Sequence, residues 1–354
     1  MDAFITVDTL YLHVKYPRRD VFDRWYKPVK DTDSRVLKQG VVINDHVIKN
    51  GSSGYKISVW DHDARIFLTD EVEEKCGEGK GMGAWVQLGP KFLIQHINNL
   101  QKEVNILLGS IGIIGEFPIS ITRLDIAVDL LGVPIIDQDL KYWSENWVGR
   151  SKLSSINNNS RTGKLETFYF GSRKSPVYLR VYDKVAQAIY DGDFDYWFDV
   201  WNKFEGPVTR IEWEIKPKDG KFAEDLKDFS LFNGFSVRET LNYLLDWGRL
   251  CEPNPNDTNR RRWKDSGFWA ELRAVVEKWS EGVYWPTSRL GKEFHGLSDA
   301  YIKFVSGTIS GAMAKFNNQA PSMMDLFEGL EKNGEHLAKI KQKAEKKAAV
   351  LKRI

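Results

Sequence analysis

The segment ITRLDIAVDLL, residues 121–131, alternates charged side chains with aliphatic ones. Because successive side chains of a β-strand point to opposite faces, the pattern predicts a strand with Arg123, Asp125 and Asp129 on one face. The aliphatic residues between them would then form the opposite, buried face. We therefore expect the fold to be organised around a strand that is apolar on one side and charged on the other.

Two later segments, SPVYLRVYDK at 175–184 and VTRIEWEIKP at 208–217, have the same alternation. Their polar positions are Tyr178, Arg180, Tyr182, Lys184, Arg210, Glu212, Glu214 and Lys216. If the three strands are neighbours in one sheet, a single surface carries four carboxylates, several cations and two tyrosines. The opposite face is then a core formed by Leu124, Ile126, Val128, Leu179, Val181, Ile211, Trp213 and Ile215.

The composition is that of a globular protein. With 354 residues, of which 42% are hydrophobic and 13% aromatic, the chain can bury the core of one large or two ordinary domains. It contains no apolar run of about 18 residues, and its N-terminus lacks a basic region followed by an apolar stretch and a cleavage site. We therefore expect a cytoplasmic protein with no membrane partner.

Cysteine and histidine usage restricts the metal chemistry. Two cysteines are too few for a disulfide framework or a four-thiolate zinc site. The six histidines form neither an HxH nor an HExxH pair, which excludes zincins and nucleases that bind metal through paired histidines. Oxygen ligands are thus expected for any metal ion.

Net charge alone does not indicate a nucleic-acid-binding protein, since 51 basic residues nearly balance 49 acidic ones. Two local basic patches, RRRWK at 260–264 and the tail at 338–354, have the charge to lie along phosphates. The alternative for each patch is a solvated helix face. For the tail the two interpretations are equally balanced, because Ala, Lys and Glu are strong helix formers.

The order of patterns along the chain predicts an α+β fold. Residues 1–90 alternate like strands of an antiparallel sheet, and 91–108 have the spacing of a helix packed on one side. The Ser- and Asn-rich segment 151–164 is predicted to be an exposed loop. We expect a mostly antiparallel sheet with flanking helices over 1–220, and a helical C-terminal region over 221–354 that binds DNA or dimerises.

The polar face has the groups needed for phosphoryl transfer. Carboxylates without histidines suit Mg²⁺ or Mn²⁺, and such an ion polarises a phosphoryl oxygen. A tyrosine on the same surface can attack phosphorus, and Arg180 and Lys184 lie two residues to either side of Tyr182, where they would stabilise its phenolate. One such segment alone is better explained by charges pairing across strands. Three segments, one with a tyrosine between cations, favour a catalytic site.

These segments also carry a family resemblance. TRLDIAVD (122–129), ETFYFGSRKSPVYLRVYDK (166–184) and TRIEWEIK (209–216) resemble, in order and separation, the signature blocks of the trans-acting rolling-circle replication initiators of small Gram-positive plasmids and the related relaxases of integrative elements. The resemblance covers roughly residues 115–220. It implies a metal-dependent, site-specific DNA nickase and strand transferase that forms a covalent 5′-phosphotyrosine.

The resemblance also implies roles for individual residues. Tyr182 corresponds to the nicking nucleophile. The acidic residues implied as Mg²⁺ or Mn²⁺ ligands are Asp125, Asp129, Glu212 and Glu214, of which Asp125 and Glu212 match the pattern best. The implied partners are single-stranded or hairpin origin DNA, a host or plasmid helicase, and a second copy of the chain.

Further residues are expected to contact DNA. Arg173 and Lys174 lie in the turn GSRKSP, where they would bind phosphates or simply form an exposed turn. Arg123 and Arg210 are cations on the polar face. Tyr178 precedes Tyr182 by four residues on the same face, and base stacking or packing explains it better than a second nucleophilic role.

Three other functions remain open from the sequence. A conjugative or mobilisation relaxase would use the same chemistry, and origin and helicase context would distinguish it. A metal-dependent nuclease that activates water would keep its cleavage activity in a Tyr182→Phe variant. A non-catalytic sheet that stacks bases on Tyr169, Tyr178 and Trp213 would need no divalent metal and form no covalent adduct.

Overall fold

The computed structural model describes the chain over residues 2–16, 18–77, 80–134, 139–158, 165–217 and 226–282. Residues 1–286 form one compact unit. The basic tail at 338–354 and the helical segments predicted beyond residue 282 lie outside the described residues.

A single large antiparallel sheet organises the described chain. The strands of the described chain are β1 (Asp2–Val14), β2 (Val41–Ile43), β3 (His46–Asn50), β4 (Ile57–Asp61), β5 (Ala64–Leu68), β6 (Ala84–Leu88), β7 (Ile119–Leu131), β8 (Trp147–Gly149), β9 (Leu153–Asn158), β10 (Leu165–Phe170), β11 (Val177–Asp183), β12 (Val208–Ile215) and β13 (Gly248–Leu250). β8 and β13 pair with each other in a separate two-stranded sheet, and the other strands form the large sheet. The order across the large sheet is β2-β3-β4-β5-β6-β1-β7-β12-β11-β10-β9. The three strands predicted from the alternating segments are therefore immediate neighbours.

Helices flank this sheet, which confirms the predicted α+β class. Within the described ranges they are α1 (Arg19–Tyr26), α2 (Ser34–Gln39), α3 (Glu73–Cys76), α4 (Pro90–His96), α5 (Leu100–Ser110), α6 (Asp139–Asn146), α7 (Lys184–Asp191), α8 (Phe194–Val200), α9 (Gly234–Trp247) and α10 (Gly267–Gly282). Each of these helices is too short or too polar to pass through a lipid bilayer.

The apolar face of the sheet forms the main core. All eight residues predicted for this core are buried, from Leu124 on β7 to Ile215 on β12. Apolar residues of α1, α5, α9 and α10 pack against them in one continuous cluster, which includes Trp25, Val104, Leu241 and Trp269. The described helices that follow residue 226 are therefore part of the same core as the sheet.

The long central strands β1 and β7 join the two halves of the sheet. Each has thirteen residues, and they pair from Asp2 opposite Leu131 to Val14 opposite Ile119. The register shifts between Val7 and Thr9, so Asp8 is the extra residue of a β-bulge. This bulge places a carboxylate of β1 beside the polar face of β12.

The polar face is covered by helices at one end. The chain between β11 and β12 forms α7 and α8. Trp197 of α8 and Trp201, which follows the helix directly, pack with Ala188 and Val208 in a second apolar cluster. Asp183 starts α7, since its Oδ1 accepts a hydrogen bond of 2.9 Å from the Ala186 N–H. Every residue of β12 is consequently buried. The alternation in the sequence predicted a charged face here but did not show that α7 and α8 cover part of it.

Segment 151–164 differs from the predicted loop. Residues Leu153–Asn158 form β9, an edge strand that pairs antiparallel with β10. Ser and Asn suit a strand with one edge open to solvent, where side-chain polarity discourages pairing with another chain. Their polarity therefore indicated exposure correctly, but not the absence of a strand. Residues 159–164 lie outside the described residues.

A core substitution at the junction of the two halves tests this packing. Leu10 is fully buried and lies opposite Leu88 of β6 and Leu124 of β7. We expect Leu10→Ala to lower the free energy of unfolding by about 2–5 kcal/mol, measured by urea denaturation, because it leaves a cavity. The control Val42→Ala, at a side chain that is 69% exposed, should change it by less than about 0.5 kcal/mol. Equal effects of the two substitutions would contradict the described core.

Candidate active site

Strands β7, β12 and β11 place most of the predicted site residues in three cross-strand rows. The rows are Asp125–Glu214–Tyr178, Ala127–Glu212–Arg180 and Asp129–Arg210–Tyr182. Alternate residues of a strand are about 7 Å apart, so the three rows form one compact patch on the polar face.

Tyr182 is hydrogen-bonded to a carboxylate. Its hydroxyl donates to Oε2 of Glu212 at 2.6 Å. Burial, together with the negative charge of Glu212, raises the pKa of Tyr182 well above that of an ordinary phenol, although Arg210 and Arg180 act in the opposite direction. The phenol is therefore protonated at neutral pH, and Glu212 is in position to accept its proton.

Two arginines hold the acidic residues together. Nη2 of Arg180 lies 3.2 Å from Oδ2 of Asp125 and also donates to Oε1 of Glu212. Arg123 donates to Asp125 at 2.8 Å and 2.5 Å, and its Nη2 lies 3.0 Å from Oε2 of Glu214. Three of the four predicted metal ligands are thus gathered around two guanidinium groups.

The carboxylates differ in their ionisation. Burial raises the pKa of Asp125 to about 7, against the hydrogen bond from Arg123 and with the help of the nearby Glu212 charge. Burial raises the pKa of Glu214, but Lys216 and Arg123 outweigh burial, so that the pKa is lowered. Lys216 Nζ lies 2.7 Å from Oε1 of Glu214. At neutral pH, Glu214 is therefore ionised, and Asp125 is close to its midpoint.

Asp129 and Arg210 form a separate, buried ion cluster. The Arg210 guanidinium donates to both carboxylate oxygens of Asp129, at 2.5 Å and 2.7 Å, and to Oδ1 of Asp8 at 2.5 Å. Trp201 Nε1 adds a hydrogen bond of 2.9 Å to Asp129. Neither Asp129 nor Arg210 is exposed. The structure therefore pairs Asp129 with Arg210 and not with the two arginines that hold the other predicted metal ligands, and it leaves neither side chain exposed.

Asp8 is a site residue that the sequence reasoning missed. Although burial opposes ionisation, Arg210, Lys184 and Arg180 lower the pKa of its carboxyl group. The only sequence signal is a charged residue in the alternating segment FITVDTLYL of residues 4–12. This signal becomes informative only once β1 is known to lie next to β7.

Lys184 is the first residue of α7, and its surroundings differ from those of Tyr182. Its ammonium group donates to Oε1 of Gln187 at 2.6 Å and lies 4.1 Å from the ring centroid of Trp197. Burial, followed by the positive charge of Arg210, lowers the pKa of Lys184 to about 8. The Tyr182 hydroxyl is bonded to Glu212, so the two side chains have different partners.

The predicted DNA contacts near β11 fall at the edge of this patch. Tyr178 is largely buried and stacks on Tyr169, with centroids 5.7 Å apart. The Arg173 guanidinium lies 5.9 Å from the Tyr178 ring, and Lys174 is exposed in the turn. Trp213 is fully buried in the apolar core, so it is not available to stack on a base.

The acidic residues do not form a ready-made metal site. Among the residues that the structure describes, no three Asp, Glu, His or Cys side chains are arranged to hold an ion. The two arginines lie between the carboxylates instead. Nε of Arg180 is buried without a hydrogen-bond partner, so this arrangement leaves one polar atom unsatisfied.

The part of the chain that contains the polar patch of β7, β11 and β12 matches a known protein family. Residues 119–280 match the family model described as replication initiation factor. The family resemblance seen in the sequence is therefore confirmed, and the matched region contains β7, β11 and β12 with Tyr182 and Glu212.

A solved structure shares the fold of this chain. It is the rolling-circle replication initiator protein from Geobacillus stearothermophilus, which is 18% identical and matches with a TM-score of 0.50 over 78% of this chain and 97% of that one. No curated protein matches the chain in sequence. At this level of identity, the likeness establishes the fold alone.

Removal of the buried cation tests the ion cluster. We expect Arg210→Met to lower the free energy of unfolding by about 3–5 kcal/mol, because it leaves Asp129 and Asp8 without their shared cation. The control Arg35→Met removes an arginine whose side chain is 90% exposed, and should cost less than about 1 kcal/mol. Urea denaturation of both variants measures the difference, and equal values would contradict a buried cluster.

The raised pKa of Asp125 predicts a pH dependence of stability. Since its folded pKa of about 7 exceeds the unfolded value of 3.8, Asp125 contributes fully below about pH 4, and this contribution is lost as the pH rises through 7. The stability of the wild type should therefore fall relative to that of Asp125→Asn over this range. Urea denaturation at a series of pH values measures both curves. Parallel curves would show that Asp125 titrates normally.

Proposed function

We propose that this protein initiates rolling-circle replication by nicking one strand of origin DNA with Tyr182. The observation that carries the proposal is the hydrogen bond from the Tyr182 hydroxyl to Glu212, with Arg180 bonded to the same carboxylate. Both strands that supply these groups lie within the matched family region. The activity named for the Geobacillus protein agrees with this proposal.

The proposed reaction is an exchange of one phosphate ester for another. Glu212 accepts the phenolic proton while the Tyr182 oxygen attacks phosphorus. The bond from Tyr182 oxygen to phosphorus forms, the bond from phosphorus to the 3′ oxygen breaks, and the 3′ oxygen takes up a proton. The 5′ end stays attached as a phosphotyrosine. Because the ester is retained, the reverse reaction can rejoin the strand without ATP.

Arg180 is proposed to neutralise charge during this transfer. Its guanidinium lies beside Glu212 and Asp125, and Tyr182 is the next polar residue along the same strand face. A guanidinium in a partly buried site stabilises phosphate oxygens more strongly than one in water. Lys184 and the buried cluster of Arg210, Asp129 and Asp8 are proposed to hold β11, β12 and α7 in place.

Asp125 and Glu212 are the residues that would hold Mg²⁺ or Mn²⁺, with Glu214 beside them. Their oxygen donors suit these ions, and the unsatisfied Nε of Arg180 is consistent with an arginine that shifts when a cation binds. When bound, the ion would polarise the phosphoryl oxygen. Asp129 is not included, because Arg210 and Trp201 already use both of its oxygens.

The remaining expectations belong to the same proposal. Arg123, Arg173, Lys174 and Tyr178 would contact DNA around the site, and a cytoplasmic helicase would unwind the duplex ahead of the nick. We retain residues 1–220 as the nicking region and 221–354 as a region for DNA binding or dimerisation. A relaxase would use the same site, and its origin and helicase context would identify it.

Formation of a covalent adduct tests the proposed function. With Mn²⁺ and a pool of 3′-labelled hairpin oligonucleotides with randomised loops, the wild type should form a denaturation-resistant protein–DNA adduct. Tyr182→Phe should form none, because it lacks the attacking oxygen. Tyr178→Phe, the same change on the same strand face, should retain adduct formation. Gel electrophoresis under denaturing conditions measures the labelled protein band.

The same assay distinguishes the alternatives. Cleavage that persists without an adduct in Tyr182→Phe would indicate a nuclease that uses water. The absence of cleavage and of an adduct in the wild type would favour a non-catalytic binding protein. Glu212→Gln should slow adduct formation about 10²- to 10⁴-fold, since an amide cannot accept the phenolic proton.

A further inference from the structure

The face that carries Tyr182 continues across β7 onto the first half of the sheet, where its residues have a different character. One cross-strand row runs from β4 to β7 and consists of Trp60, Arg65, Gln87, Tyr11 and Arg123. This row contains two aromatic rings and two guanidinium groups, and no carboxylate. We refer to Tyr11, Tyr55, Trp60 and Trp85, with Lys49 and Arg65, as the aromatic face.

Three of the four rings of the aromatic face, Tyr11, Tyr55 and Trp85, border an open cleft. Tyr11 meets Trp85 edge to face at 5.3 Å, and Tyr55 stacks on Trp85 at 6.0 Å. Tyr11, Tyr55 and Trp85 are all partly exposed. With His13, Arg123 and Lys216 they line a cleft of about 450 Å³. Aromatic rings with accessible surfaces beside such a space are suited to stacking on flat ligands.

The two cations of the aromatic face both lie against the Trp60 ring. Lys49 Nζ lies 4.0 Å from the ring centroid of Trp60, and the Arg65 guanidinium lies 4.1 Å from the same centroid. Neither forms a salt bridge within the described part of the chain. Arg123 and Lys216, at the border with the active site, are paired with Glu214. Lys49 and Arg65 therefore lie on the side of the sheet away from Asp125, Glu212 and Glu214.

We propose that the aromatic face binds the single-stranded arm of the DNA that leads away from Tyr182. Proteins bind single-stranded DNA without sequence specificity through aromatic rings that stack on bases and neighbouring cations that pair with phosphates. A duplex is a poorer match, because its stacked bases hide the surfaces that these rings would contact. The assignment of this arm to the nicked strand rests on the proposed function.

The geometry of the sheet makes this path continuous. From Tyr182 to Arg123 the face crosses two strand spacings and about six residues, a distance of roughly 20 Å. Arg123 connects the active site to the aromatic face, since it binds Asp125 and its guanidinium lies 4.9 Å from the Tyr11 ring centroid. A few nucleotides would connect Tyr182 to the aromatic face, within the range of about 4–16 nucleotides that single-stranded DNA-binding sites cover.

Binding of fluorescein-labelled oligothymidylate tests this proposal on the full chain. Anisotropy titrations without divalent cations should give a Kd for Trp60→Ala roughly 5- to 150-fold above that of the wild type, through loss of a base stack. Arg65→Glu should weaken binding and lower the slope of log Kd against log salt by about 1. Tyr190→Ala, at a tyrosine that is 90% exposed on α7, is the control and should bind as the wild type does.

The outcomes separate this inference from the proposed function. An unchanged Kd in both Trp60→Ala and Arg65→Glu, with urea denaturation showing both folded, would overturn the aromatic face as a single-strand site. Weakened binding of a duplex probe, with oligothymidylate unaffected, would overturn it in favour of duplex binding. Tyr182→Phe should bind oligothymidylate normally. Weaker binding in the Trp60 and Arg65 variants would support the inference even if no adduct formed.

Discussion

The ion cluster of Arg210 with Asp129 and Asp8 is the constraint on which the site depends. It joins β12 to β7 and β1 through three hydrogen bonds, whose six polar atoms are largely removed from water. A buried guanidinium and its carboxylates are tolerable only when their hydrogen bonds are complete, so a shift in the register of any of these strands is costly. Tyr182 lies directly opposite Arg210, and its position follows from this register.

The two halves of the sheet have the same plan but different chemistry. Each starts from a central thirteen-residue strand, β1 or β7, and continues outward through antiparallel neighbours, β6-β5-β4-β3-β2 or β12-β11-β10-β9. On the shared face, the second half carries Tyr182, Glu212 and Asp125, whereas the first half carries aromatic rings and cations. We propose that residues of the second half cleave the DNA strand and that residues of the first half bind it.

The sequence predicted the sheet and the centre of the site because both depend on local alternation. A period of two fixes which side chains share a face, so the core and the grouping of Tyr182 with Glu212 followed directly. It does not show what covers that face. The burial of Asp129 and Arg210 depends on Trp197 of α8 and on Trp201 directly after it. The role of Asp8 depends on a bulge in a strand more than one hundred residues away.

The central claim is that the Tyr182 oxygen becomes joined to DNA. It is tested most directly by mass spectrometry of the peptide that stays attached after the adduct is denatured and digested with protease and nuclease. The account predicts that the added phosphate or nucleotide mass lies on Tyr182. Modification of Tyr178, or of any other residue, would contradict it.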